Sequence, residues 1–160
     1  SYSLSIRKEG ESEWRVLRPA RGETIFAFDT LAYSDGTYFL KVTASDVPSN
    51  PVGTELQAER VGPPFVIDNS LPAVNGFAAV RGGGGLNVSF QAQDAFSTIE
   101  EVKVLVRPGE WRVVFPVDGI ADSTTEIFKF SMKLPPNAEN LVTVRVRDAC
   151  GNVGVYQQKY

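Results

Sequence analysis

The sequence predicts an all-β protein that contains two copies of one β-sandwich module. Three observations support this prediction: apolar and polar residues alternate along several segments, turn sequences recur at short intervals, and the tetrapeptide EWRV occurs at residues 13–16 and again at 110–113. Alternation with a period of two is typical of antiparallel strands with one buried face, and short strands between frequent turns favour a sandwich or a barrel.

The alternation is clearest in three segments. In each of them every second residue is apolar and is predicted to face the core: Tyr38, Leu40, Val42 and Ala44; Leu86, Val88, Phe90 and Ala92; Val142, Val144 and Val146. No segment keeps a helical period of 3.6 residues over about three turns, so the sequence predicts no long helix.

The two copies can be aligned beyond the EWRV tetrapeptides. Trp14 and Trp111 are 97 residues apart, whereas Asp46 precedes Asp148 by 102 residues, so the second copy has the longer loop between these positions. The segment ETIFAFDT (residues 23–30) matches TEIFKFSM in the second copy, and both are predicted to be strands.

The copies are predicted at residues 1–61 and 73–160, joined by the proline-rich stretch GPPFVIDNSLP (62–72), in which proline restricts the backbone. Ahead of its EWRV tetrapeptide the second copy has two strand-like segments, PAVNGFAAV and LNVSFQAQDA, that the first copy lacks. We therefore expect the first module to lack two strands. Its uncovered core face and exposed edge favour a homodimer with a second copy of the chain.

Composition argues against several classes of function. The 160 residues carry 16 basic and 19 acidic side chains, and the basic ones are scattered, so no nucleic-acid partner is expected. The chain has no histidine, which removes the commonest general base and metal ligand. Cys150 is the single cysteine, so no intrachain disulfide can form. No apolar run approaches the roughly 20 residues of a membrane-spanning helix, and no membrane insertion is expected.

The glycine run RGGGGL (81–86) is predicted to be a flexible turn between two strands. It lacks the lysine of a phosphate-binding loop and is not followed by a predicted helix, so its backbone amides would have no helix dipole behind them.

Several motifs resemble those of known families. Leu31, Gly36 and Tyr38 resemble the tyrosine corner before strand F of fibronectin type III modules, and RVRDACGNVG (145–154) is similar to the end of strand F in bacterial Ig-like repeats. The run from SEWRVL to VIDNSLP is similar to stretches that follow β-propellers in large bacterial extracellular proteins. The second copy departs from the pattern, because Asn140 stands where the first copy has Tyr38.

The resemblance implies two Ig- or fibronectin-III-like antiparallel β-sandwiches in tandem, the first with strands C to G but without its A and B strands. It also implies a non-catalytic structural or interaction module, a spacer or accessory domain of a larger bacterial protein that is extracellular, at the cell surface or periplasmic. The expected partners are other domains of the parent protein and a protein or glycan ligand. No enzyme activity and no cofactor are expected.

An alternative function is carbohydrate binding through Trp14 and Trp111. An exposed tryptophan ring on a sandwich can stack on a sugar, whereas a ring that covers the core or an edge contributes only packing. Because both copies place tryptophan at the same position, a shared packing role is the favoured interpretation.

Acidic loops offer a further alternative, a calcium site. In the implied topology one pole of the second module gathers oxygen-bearing side chains: Asp68, Asn69, Asp94, Asp118, Asp122, Asp148 and Asn152. Such ligands near a linker are how cadherin-like proteins bind calcium. Asp and Asn are also common in turns, where they bond their own backbone, and that role is the favoured interpretation. The calcium candidates kept as the alternative are Asp68, Asn69, Asp94 and Asp148.

Overall fold

The computed structural model describes residues 1–50 and 53–160, and these residues form an all-β protein. The regular structure of these described residues consists of twelve strands and two 3-10 helices of three residues each, which confirms the all-β prediction. The described residues include no helix that is long and apolar enough to cross a membrane. The chain divides into two compact units, Ser1–Asp68 and Asn69–Tyr160, and each has its own hydrophobic core.

The first unit is an antiparallel sheet with the order β2-β1-β3-β4, in which β5 also pairs with β3. Its strands are β1 (Tyr2–Lys8), β2 (Arg15–Arg21), β3 (Gly36–Ser45), β4 (Gln57–Val61) and β5 (Phe65–Ile67). Two 3-10 helices cover Thr30–Ala32 and Val47–Ser49. β5 lies inside the stretch predicted as a linker, and its Phe65 pairs with Tyr38 of β3.

The sheet of the first unit has one apolar face. Directly paired residues of antiparallel strands share a face, and the pairs on this one are Tyr2 with Ala44, Leu4 with Val42, and Ile6 with Leu40. At the Ile6 end the face is covered by the aromatic side chains of Phe28 and Tyr33. At the other end Tyr2 and Val42 remain 45% and 41% exposed. Half of the apolar face is therefore open.

The second unit consists of two antiparallel sheets, with the orders β10-β7-β6 and β12-β11-β8-β9. Its strands are β6 (Ala73–Gly82), β7 (Gly85–Gln93), β8 (Ile99–Val106), β9 (Arg112–Val114), β10 (Thr125–Lys133), β11 (Leu141–Asp148) and β12 (Val153–Lys159).

One hydrophobic core joins the two sheets of the second unit. The alternating apolar residues predicted to face inward in this unit are all buried: Leu86, Val88, Phe90, Ala92, Val142, Val144 and Val146. Phe90 of β7 stacks on Phe128 of β10 with ring centroids 5.0 Å apart. Because the core draws on β7 and β10 of one sheet and on β8 and β11 of the other, the unit is a β-sandwich.

The two units contain similar antiparallel strand pairs. The pairs of β1 with β3 in the first unit can be matched in order with those of β8 with β11 in the second: Ile6–Leu40 with Val106–Val142, Leu4–Val42 with Val104–Val144, and Tyr2–Ala44 with Val102–Val146. The EWRV tetrapeptides take different registers against these strands, because Arg15 pairs with Ile6 whereas Arg112 pairs with Val104.

The predicted strand over ETIFAFDT (23–30) is not formed, which corrects the sequence-based expectation. Residues 22–29 contain no strand, and a 3-10 helix begins at Thr30. The matching segment TEIFKFSM lies in β10, which pairs along its whole length with β7. The described residues of the first unit form no strand equivalent to β7, so the segment 23–30 has no such neighbour to complete its hydrogen bonds.

The glycine run is a tight hairpin turn. Gly82 pairs with Gly85, and the two residues between them, Gly83 and Gly84, have φ angles of +60° and +79°. Both central residues of a type I′ turn need positive φ, which glycine adopts without steric cost. The turn predicted for RGGGGL is therefore present.

Candidate metal centre

Two of the predicted calcium candidates lie together in the second unit. Asp94 and Asp148 each place a carboxylate oxygen within 4.8 Å of the other. Both residues are buried, with exposed fractions of 5% and 0%. Two carboxylates at such a short distance repel each other strongly unless a cation or protons compensate their charge. Asp68, which is 6% exposed, belongs to the first unit.

Asp94 directly follows β7 and opens the turn toward β8. Its Oδ1 accepts hydrogen bonds from the backbone N–H groups of Phe96 and Ser97, at 2.8 and 3.0 Å. This is the ordinary turn role expected of aspartate. Its Oδ2, however, is buried and has no hydrogen-bond partner. The turn therefore explains one oxygen of Asp94 and leaves the other unexplained, although an unsatisfied buried oxygen is costly.

Asp148 is the last residue of β11 and is completely buried. The backbone N–H of Asn152 donates to its Oδ1 and the side-chain amide of Asn152 donates to its Oδ2, both at 2.9 Å. These bonds orient the carboxylate, and each oxygen keeps a further lone pair. In the part of the chain that the structure describes, no lysine or arginine forms an ion pair with Asp94 or Asp148.

Asp68 directly follows β5 and precedes Asn69, the residue at which the second unit begins. The Asn69 side chain is half-buried, and an amide oxygen is of the ligand type that calcium accepts. The chain thus passes from the first unit to the second between Asp68 and Asn69.

The other predicted oxygen ligands have different roles. Asp118 is exposed and its Oδ1 accepts a hydrogen bond from the backbone N–H of Ile120 at 3.3 Å. The backbone N–H of Asp122 donates to Glu126 Oε1 at 2.9 Å. Neither aspartate belongs to the clustered group, and Asn152 orients Asp148.

Sequence reasoning did not single out Ser97. It lies three residues after Asp94 in the same turn, is 7% exposed, and its Oγ is buried without a hydrogen-bond partner. A single serine in a loop has no distinctive sequence signal. Its relation to the centre becomes visible only because its N–H donates to Asp94.

The two tryptophans occupy different environments despite their matched positions. Trp14 is half-buried, with the Arg7 guanidinium carbon 4.9 Å and the Lys41 ammonium nitrogen 5.2 Å from its ring centroid. Trp111 is 42% exposed and lies close in the chain to the exposed side chains of Val113 and Phe115. The ring of Trp111 is therefore the more accessible of the two.

Assignment of a function rests on the geometry of the chain itself, since no protein-family model matches it and no curated protein matches it either.

Proposed function

We propose that the chain is a non-catalytic structural and interaction module, built from a partial and a complete fibronectin-III- or Ig-like unit, within a larger extracellular or periplasmic bacterial protein. The observation that carries this proposal is the open half of the apolar face in the first unit. An exposed apolar sheet surface of this kind is typical of a protein–protein interaction site.

The order of the strands supports the family assignment. If β6 to β12 are lettered A, B, C, C′, E, F and G, the two sheets of the second unit become A-B-E and C′-C-F-G, an arrangement of the fibronectin type III kind. In the first unit, β2-β1-β3-β4 corresponds to C′-C-F-G, and its described residues form no partner sheet.

A tyrosine corner also supports the family assignment. The Tyr38 hydroxyl donates to the backbone carbonyl of Ser34 at 2.7 Å, and Tyr38 is 4% exposed. A tyrosine near the start of strand F that bonds to the backbone a few residues upstream is a hallmark of Ig-like sandwiches.

The open half of the apolar face forms a shallow groove of about 320 Å³. Tyr2, Leu4, Phe26 and Val42 contribute its apolar lining. An ion pair between Arg18 and Glu23 lies beside them. The apolar face of a sheet is the kind of surface that packs against a second sheet in a sandwich.

The proposed occupant of this groove is the same face of a second copy of the chain. A two-fold axis brings identical patches together, so a patch must be complementary to itself. This patch is apolar at its centre and carries one positive and one negative side chain, Arg18 and Glu23, so each charge can meet its opposite across the axis.

The test is the oligomeric state of the chain as a function of concentration, measured by sedimentation equilibrium. The wild-type chain is expected to dimerise, and Val42→Asp, which buries a charge in the contact, is expected to weaken the dimer at least tenfold. Val16→Asp is the matched control, because Val16 is 66% exposed and pairs with Ser5, which faces away from Leu4 and Ile6. A wild-type chain that stays monomeric, or a dimer equally sensitive to both substitutions, would refute this interface.

A second candidate function, carbohydrate binding, is favoured by one observation, the exposed ring of Trp111. Sugars stack on accessible aromatic faces, and the rings most suited to this are not already covered by side chains. Affinity electrophoresis in soluble polysaccharides tests it: retardation that is lost in Trp111→Ala but kept in Trp14→Ala supports glycan binding at Trp111. No retardation of the wild-type chain in any polysaccharide removes this candidate.

A further inference from the structure

We propose that the open edge of β10 binds an extended peptide strand in which apolar residues alternate with polar ones, two of them acidic. The site lies wholly within the second unit, so the proposal goes beyond the proposed function and does not depend on it. Neither the groove of the first unit nor Trp111 enters the argument.

Part of the edge of β10 has no neighbouring strand. β10 pairs with β7 on one side, and on its other side the Ile127 carbonyl accepts a hydrogen bond from the Val117 N–H at 2.8 Å. Antiparallel strands direct alternate residues to opposite sides, so the backbone groups of Lys129, Ser131 and Lys133 point to the same side as that carbonyl. Within the described chain no backbone hydrogen bond reaches these three residues from that side. The stretch can therefore accept one further strand.

An apolar groove of about 290 Å³ lies beside this edge, between β10 and β9. Val104, Val114, Phe130 and Met132 contribute its apolar lining. Among the inward side chains of β10, Phe128 is buried, whereas Phe130 and Met132 are only half-buried. β9 has three residues and leaves this end of β10 partly uncovered. Apolar side chains of an added strand would complete the cover, and a flexible methionine adapts well to such a contact.

Three cationic side chains flank the edge and the groove. Lys129 and Lys133 are exposed on the face of β10 opposite to Phe130, and Arg112 is exposed at the groove. Within the described residues none of these three cations forms an ion pair. Opposite charges that lie directly across two strands attract each other, so acidic side chains opposite Lys129 and Lys133 favour binding.

The same lysines disfavour a second copy of the chain as the occupant. A two-fold axis centred on Ser131 would place Lys129 of each copy opposite Lys133 of the other. Like charges directly opposite are destabilising, and lysine on an edge strand is a means by which natural proteins prevent edge-to-edge association. The charges therefore select a partner with acidic residues over an identical chain.

The register on β10 defines the sequence pattern of the partner. Directly opposite residues of paired strands share a face, so partner residues opposite Phe130 and Met132 enter the groove. Those opposite Lys129 and Lys133 face outward beside the lysines. The resulting pattern is acidic, apolar, polar, apolar, acidic, and Glu-Val-Thr-Val-Glu fulfils it with β-branched residues that favour strands.

The experiment is a fluorescence anisotropy titration of the whole chain into a labelled peptide that contains Glu-Val-Thr-Val-Glu. We expect saturable binding at chain concentrations up to about 1 mM. The same peptide with lysine in place of both glutamates is expected to bind at least tenfold more weakly, because its charges repel the edge.

A peptide with N-methyl threonine tests the backbone contact. In antiparallel addition the threonine lies opposite Ser131, and its N–H donates to the Ser131 carbonyl. Methylation removes this donor at the centre of the added strand and leaves every side chain in place. We expect the affinity to fall at least tenfold.

Lys129→Glu reverses one charge of the edge at an exposed position, so the fold is expected to be kept. It is expected to weaken binding of the acidic peptide about fivefold and to strengthen binding of the lysine peptide by a similar factor. Lys159→Glu is the matched control, because Lys159 is an exposed lysine of β12 in the other sheet. It is expected to change both affinities by less than about twofold.

Three results would overturn the proposal, and none depends on how a variant folds. The wild-type chain binds neither peptide at concentrations up to about 1 mM, it binds the acidic and lysine peptides equally, or it binds the N-methyl peptide as well as the parent. Sedimentation equilibrium tests the remaining occupant: self-association that changes in Lys129→Glu but not in Val42→Asp would assign the edge to a second copy of the chain instead.

Discussion

Tyr38 links a sequence motif to a specific hydrogen bond. Its ring is buried against Tyr33 and Phe65, and its hydroxyl donates to the Ser34 carbonyl at 2.7 Å. Tyr38→Phe removes the donor and leaves that carbonyl short of a partner, so the first unit is expected to lose about 1–2 kcal/mol of stability. Urea denaturation followed by Trp14 fluorescence in a Trp111→Phe background measures this loss.

The matched control for Tyr38 is Tyr2→Phe, measured below the concentration at which the proposed dimer forms, because Tyr2 lines the dimer groove and is 45% exposed in the single chain. In the monomer this change is expected to alter the unfolding free energy by less than about 0.5 kcal/mol. Equal losses from both substitutions would mean that the corner bond contributes nothing specific to the first unit.

The predicted calcium ligands show how far residue type alone can locate a site. Residue type named seven oxygen-bearing candidates, and only the topology implied by the family resemblance placed them at one pole of the second module. Their alternative role in turns was equally visible, and Asp94 fills it with only one of its two oxygens. The distinction depends on burial and on hydrogen-bond geometry, which no pattern of residue types encodes.

Two glycines of the hairpin between β6 and β7 are required for different reasons: Gly83 for its positive φ, and Gly85 for a close contact with β10. A Cβ atom added at Gly85 would lie 2.5 Å from the Met132 carbonyl oxygen of β10, so Gly85→Ala must displace backbone. We expect it to cost the second unit about 1–3 kcal/mol. The measurement is urea denaturation followed by Trp111 fluorescence in a Trp14→Phe background.

Gly83→Asn is the control in the same turn. Gly83 has a φ of +60°, and a Cβ atom added there would meet no other atom within 4 Å. Asparagine is the residue other than glycine that best tolerates this backbone region, so we expect a change below about 0.5 kcal/mol. A Gly83→Asn chain that is less stable than Gly85→Ala would contradict the assignment of the turn and of the close approach to β10.

The local sequence pattern did not reveal whether a neighbouring strand was available to pair with each segment. ETIFAFDT and TEIFKFSM have nearly the same pattern, yet only the second is a strand, because β7 lies beside it. β5 shows the converse, since Phe65 and Ile67 pair with β3 although their sequence lies in a proline-rich stretch. Strand formation depends on the hydrogen-bonding partner as well as on propensity, and a local pattern contains only the propensity.

At the scale of the whole molecule, the repeat was the most informative feature of the sequence. The two EWRV tetrapeptides each begin in a hairpin, between β1 and β2 and between β8 and β9, although Arg15 and Arg112 pair at positions two residues apart in the matched strands. The alternating apolar residues of β3 and of β11 each lie on one face of their sheet, as the alternation predicts. The depth of the core differs between the units, since within the described residues the first unit forms no second sheet to cover its apolar face.

The stability of the second unit should therefore depend on its single core that joins two sheets. Phe128 of β10 is 1% exposed and stacks on Phe90, so Phe128→Ala leaves a cavity and is expected to cost about 3–5 kcal/mol. Phe115, which is 67% exposed, gives the same substitution outside the core, and Phe115→Ala is expected to change the unfolding free energy by less than about 0.5 kcal/mol. Urea denaturation followed by Trp111 fluorescence, with Trp14 replaced by Phe, compares the two. If Phe115→Ala were as damaging as Phe128→Ala, the exposed stretch after Trp111 would have to be covered in solution, and the division of this unit into core and surface would be wrong.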